Sequence, residues 1–144
     1  MATTNEIIRL FEPDLEKTPD SLFDFQALIR IGFPVSWAHA FFRNSMLDKI
    51  AEDLFPNIAS NQTTSGSTEG IAKLTQAESD RLFCLARVYA DALELFESQP
   101  ETEKWLISPS IALGNKSPIE LLDTSVGFEL VSNELQRLNF GIAG

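Results

Sequence analysis

The sequence has 144 residues, 44% of them hydrophobic and 22% charged, which is the usage of an ordinary globular chain and excludes a disordered one. Eleven Lys and Arg against 21 Asp and Glu give a formal net charge of −10. That balance excludes a broad positive surface for phosphate backbones or anionic lipid, and points to a basic protein partner.

Residues 1–20 alternate acids with Pro13 and Pro19, so a short helical piece and a mobile linker are expected there. Asp20 and Ser21 then offer a cap before Leu22, Phe25 and Ile29, and Gly32 stands where a glycine ends a helix. Pro34 and Ser36 restart the chain, and Trp37, Phe41 and Phe42 give a second helix an apolar face suited to self-association. Ser45 and Asp48 read as a cap for a third helix, about Met46–Phe55, stopped by Pro56. Residues 57–70 are the most polar and least patterned stretch, and read as a loop.

Thr75 and Glu78 form a T-x-x-E capping box for the longest predicted helix, to about Ser98, with Leu82, Leu85, Tyr89, Leu93 and Phe96 spaced by three and four. A shorter helix begins at Pro100, runs through Trp105 and Leu106, and stops before Pro109. After a loop at 112–116, Ser117, Pro118 and Glu120 supply an N-cap, a first-turn proline and an N3 acid. The last helix is expected over about Ser125–Leu138, with Phe128, Val131, Leu135 and Leu138 on one face. No alternating strand pattern occurs, so the fold class is all-α.

The residues argue against catalysis. Cys84 is the sole cysteine, so no internal disulfide forms, and its apolar setting reads as a buried inert thiol. His39, the sole histidine, reads as a partly buried helix residue, and one His with one Cys cannot build a structural zinc site. A small hydrolase using Cys84 or His39 is therefore the most distant reading, and neither cofactor nor metal is expected. The seven glycines fall singly, which leaves no phosphate-binding loop. The N-terminus lacks a basic region followed by an apolar one, and no apolar run approaches a membrane span, so a soluble cytoplasmic protein is expected. The Met46–Phe55 helix, a polar turn and a following helix outline a helix-turn-helix, in which Asn61, Gln62, Thr63 and Thr64 would face base edges. No Lys or Arg lies between Lys49 and Lys73, so little there would hold a phosphate backbone.

The C-terminal run from Trp105 to Thr124, W-L-I-S-P-S-I-A-L-G-N-K-S-P-I-E-L-L-D-T, strongly resembles the C-terminal domain of the Xre–MbcA–ParS antitoxins, partners of RES-type toxins. Asn115 replaces the usual second glycine of that motif, and Arg137 and Gly141 match its R-x-x-x-G ending. Leu74–Leu82 is similar to the family's L-T-x-x-E-S-D-R-L helix start, and Leu28–Pro34 to its entry into an Xre-like helix-turn-helix. After Phe55 the chain departs from the family, with Pro56 and an uncharged polar stretch in place of an arginine-rich recognition helix.

The resemblance implies an Xre-like helical N-terminal domain, residues 1–73, with a degenerate helix-turn-helix, and a small helical toxin-binding domain, residues 74–144. It implies an antitoxin of a type II toxin–antitoxin system that covers the active-site cleft of a RES toxin and keeps out its substrate NAD. A homodimer within a toxin–antitoxin hetero-oligomer is expected, with operator DNA contacted mainly by the complex and no membrane partner. The alternative is a helix-turn-helix regulator acting mainly through operator binding, which the missing cations disfavour. The implied toxin contacts are Trp105, Leu113, Gly114, Lys116, Leu122, Asp123, Phe140, Gly141 and Ile142, the last three forming a tail past the final predicted helix. Trp105, Leu113, Leu121 and Leu122 read as core ahead of interface. Lys116, Asp123 and Gly141 are harder to explain by packing.

Overall fold

Short-range caps set most of the helix starts. In the computed structural model, which describes residues 3–11, 19, 21–45, 47 and 73–143, helix α1 (Thr4–Phe11) is opened by a reciprocal pair: Thr3 N–H donates to Glu6 Oε2 (2.9 Å) and Glu6 N–H to Thr3 Oγ1 (3.2 Å). Ser21 caps α2 (Leu22–Ile31) by accepting from Asp24 N–H at 3.3 Å. Gly32 ends it at φ 102°, its N–H donating to Leu28 O at 2.8 Å. Helix α3 spans Val35–Ser45, and the predicted capping box opens the long helix α4 (Gln76–Phe96): Thr75 N–H donates to Glu78 Oε1 (2.9 Å) and Glu78 N–H to Thr75 Oγ1 (3.1 Å). Helix α4 stops where Glu97 turns left-handed at φ 55°. Ser98 then caps α5 (Gln99–Ile107), with Pro100 in its first turn.

Two 3-10 helices, Ile111–Leu113 and Pro118–Asp123, precede the final helix α6 (Ser125–Ala143). No strand occurs among the described residues, only isolated bridges at Pro34–Lys73 and Ser110–Lys116. The protein is all-α. The predicted Met46–Phe55 helix, Asp48 and the polar stretch with Asn61, Gln62, Thr63 and Thr64 lie outside the described residues. Contacts divide the chain into Thr3–Phe83 and Cys84–Gly144, so that α4 contributes its first turns to one unit and the rest to the other.

The N-terminal unit is built on aromatic rings. Phe11 stacks on Trp37 with centroids 5.3 Å apart and meets Phe33 at 5.5 Å and Phe41 at 6.1 Å. The short helical piece expected within residues 1–20 is α1, which packs on α3 and buries Ile7 and Phe11. Other expectations are corrected here. The Trp37, Phe41 and Phe42 face expected to drive self-association is buried within this unit, because Phe11 and its neighbours already cover it. His39 is exposed on α3, not partly buried, and Cys84 on α4 is half-buried.

In the C-terminal unit, α6 packs on both 3-10 helices and α5 packs on the second. Their shared core holds Leu85, Tyr89, Leu106, Ile119, Val131 and Leu135, all buried. Arg87 of α4 lies over the Phe128 ring of α6, 5.4 Å from its centroid. Burial pushes the Tyr89 phenol up, the nearby Gln99 side chain partly offsets this, and the charge of Glu103 adds to the rise.

Candidate toxin-binding surface

The segment 110–116 folds back on itself through main-chain bonds. Ser110 N–H donates to Lys116 O at 3.0 Å, while Ser110 O accepts from Leu113 N–H (3.0 Å) and Asn115 N–H (2.9 Å). Gly114 and Asn115 both adopt the left-handed conformation, φ 67° and 64°, which suits Gly and Asn best among the residue types. The substitution of Asn for a second glycine at 115 therefore leaves this turn intact. On it, Ile111 stands 90% exposed and Lys116 is exposed.

The second 3-10 helix is anchored at its start by Glu120. Ser117 N–H and Ser117 Oγ–H both donate to Glu120 Oε2, each at 2.8 Å. These two bonds, the backbone one foremost, hold the Glu120 carboxyl below the usual range, and Lys116 adds to the effect. The serine hydroxyl is thus spent on the carboxylate, and the stretch predicted to open a helix forms a 3-10 helix ending at exposed Asp123.

The predicted contact residues divide by burial. Leu113 (8% exposed) and Leu122 (4%) fill the core of their unit, and Trp105 is half-buried against Phe96 with ring centroids 5.9 Å apart. Gly114, Lys116 and Asp123 are exposed on the two turns. Phe140 is 74% exposed and Gly141 is exposed with open space around its Cα, but neither lies on a free tail. The last helix was expected to end near Leu138; α6 instead continues to Ala143 and takes in Phe140, Gly141 and Ile142. Asn139 and Gly141 are weak helix formers, yet one further turn satisfies their backbone groups at small cost.

Sequence reasoning missed other exposed apolar side chains: Ile107 and Ile111, with Val126 and Leu130 on α6. Their signal was present. Val126 and Leu130 lie four apart and off the stripe made by Val131 and Leu135, so α6 carries apolar residues on two sides. Toward the end of the helix, the buried carboxylate of Glu134 (7% exposed) is gripped side-on by Arg137, whose Nε donates to Oε2 at 2.9 Å and Nη2 to Oε1 at 2.6 Å. That contact raises the pKa of Arg137 further, through hydrogen bonding first and charge second. Among the described residues, no group of three or more His, Cys, Asp and Glu is placed to hold a metal ion, and no helix is long and apolar enough to cross a membrane.

Comparison with known proteins agrees with this geometry. Residues 91–141, which run from α4 to the end of α6, match the family described as the antitoxin Xre/MbcA/ParS C-terminal toxin-binding domain. A Pseudomonas putida protein named Antitoxin Xre is 28% identical over 125 residues, spanning 85% of this chain and 77% of that relative. The chain is thus similar to the Xre/MbcA/ParS-type antitoxins, and the match to their toxin-binding domain falls within its C-terminal unit.

Proposed function

We propose that the chain neutralises a RES-domain toxin by direct binding that closes the toxin's active-site cleft to NAD. The observation that carries this is the coincidence of the toxin-binding match, residues 91–141, with the helical unit built around α6. The long motif from Trp105 to Thr124, with its R-x-x-x-G ending at Arg137 and Gly141, supports a RES-type partner in particular. Charge supports it too. A cleft that takes NAD must present cations to its pyrophosphate, and this chain carries −10. The protein acts by occupying a site, not by catalysis.

In this reading Gly114, Lys116 and Asp123 lie at the toxin contact, and Leu113, Leu122 and Trp105 hold the backbone that presents them. A homodimer within the toxin–antitoxin assembly must use a surface other than Trp37, Phe41 and Phe42, which are buried. Operator DNA is contacted mainly by the complex, which is how the pair represses its own operon.

The test is co-expression with the product of the neighbouring gene, followed by cellular NAD and growth, and by calorimetry on the purified pair. A one-to-one or higher-order complex with NAD preserved is expected. NAD loss at full antitoxin expression, with no complex recovered, overturns the assignment.

A further inference from the structure

Helix α6 is amphipathic twice over. Val131 and Leu135 are buried in its unit, whereas Val126, Leu130 and Phe140 are exposed. At 3.6 residues per turn, Val126, Leu130, Asn133, Arg137 and Phe140 fall within one arc of roughly 80°, and Val126 and Phe140 are about 21 Å apart along the axis. Three apolar side chains that keep 49–74% of their surface exposed along one helix face contribute only part of their area to folding, and such rows mark contact surfaces. Arg137 lies in this row, one turn before Phe140. Its Nε and Nη2 edge is occupied by Glu134, which fixes the guanidinium and leaves the Nη1 side as the one a second acceptor would meet.

We propose that this outer face of α6 is the surface that seats the toxin: Leu130 and Phe140 enter an apolar groove about 20 Å long, and Arg137, preset by Glu134, takes a carboxylate from the groove's rim. The inference rests on the antitoxin reading above and names the side chains through which that binding works. The toxin is the occupant because α6 from Ser125 through Gly141 lies inside the toxin-binding match. The helix is already formed and Arg137 is already held by Glu134, so little ordering entropy is lost on docking. Exposed Glu129 flanks the row toward its N-terminal half, so the groove carries a cation there and an anion near Arg137.

The experiment uses the full chain and the product of the neighbouring gene, titrated calorimetrically, with circular dichroism on every variant. Phe140→Ala is expected to weaken binding about tenfold, and Leu130→Asp with Phe140→Ala about a hundredfold, at unchanged helix content. Arg137→Lys keeps a cation beside Glu134 and loses the planar fork, so binding of the folded chain, verified by circular dichroism, weakens several-fold even where the melting temperature falls slightly. Phe23→Ala, at an exposed position of the N-terminal unit, leaves affinity unchanged. Should Leu130→Asp disturb folding, Phe140→Ala decides alone, because its side chain lies outside the core. Wild-type affinity in a folded Phe140→Ala chain overturns the surface assignment and leaves the antitoxin reading standing. A wild-type chain that binds no toxin overturns both.

Discussion

The Cα of Gly127 lies so close to the carbonyl oxygen of Leu121 that a Cβ there would sit 1.7 Å from it. The close approach joins the second 3-10 helix to the first turn of α6, where Gly127 N–H also donates to Thr124 Oγ1 at 2.9 Å. Both clashing groups are backbone, so no rotamer change relieves them.

Gly127→Ala is therefore expected to cost about 3 kcal/mol, at the upper end of overpacking effects, and to lower the melting temperature by on the order of 10 °C. Gly141→Ala serves as the control. That glycine meets nothing within 4 Å of its added Cβ, and alanine is the better helix former, so it should be neutral or stabilising. Thermal unfolding of the two variants side by side checks both expectations, and an unchanged Gly127→Ala melt contradicts the first.

The contrast between these two glycines shows what could be read in the sequence. Features that act over three or four residues were legible: the Thr75–Glu78 box, the Ser21 and Ser98 caps, and Gly32 at the end of α2. Gly127 was not, because its requirement comes from the carbonyl of Leu121, six residues back across the turn between two elements. Phe11 was missed for a similar reason. It follows Ile7 by four residues, a helical spacing, but Glu12 and Pro13 end the pattern at once, and its burial is set by Phe33, Trp37 and Phe41, which come from farther along the chain. In the C-terminal unit the motif falls inside the segment that matches the toxin-binding domain, but one-dimensional spacing could not separate Leu113, which faces the core, from Ile111 two residues earlier, which faces solvent.

Phe11→Ala is expected to destabilise the chain by about 3–5 kcal/mol, since it empties a fully enclosed aromatic site. Urea unfolding followed by Trp37 fluorescence would report it, because the two rings stack at 5.3 Å. A cost below about 1 kcal/mol would mean that α1 is not part of the N-terminal core.

The Ser117–Glu120 contact makes a pH prediction. The folded-state pKa of Glu120 is lowered, so its contribution is present above the unfolded-state value of about 4.3 and lost as pH falls through the folded value. Wild type should be more stable than Glu120→Gln near pH 7, with the gap closing as the pH drops below about 4. The carboxylate is exposed, so the difference is small. Paired melting curves at pH 7 and pH 3 measure it. A gap that widens in acid contradicts the assignment of Ser117 as the stabilising partner.

A chain ending at Leu138 tests the role of the last turn of α6. Truncation there removes Phe140 and Gly141 but leaves Val131, Glu134, Leu135 and Arg137 in place, so the core of the C-terminal unit keeps its contacts. Helix content should fall only by the residues removed. Neutralisation should fall much further, because the lost turn carries the most exposed large apolar side chain of α6. Co-expressed with the toxin, the truncated chain is expected to leave cells with depleted NAD and arrested growth, and the Phe140→Ala chain to show the same defect in weaker form. Full protection by a folded truncated chain would place the contact nearer Val126, Leu130 and the 110–116 turn. A defect in the truncation but not in Phe140→Ala would assign the effect to the helix end and not to the aromatic ring.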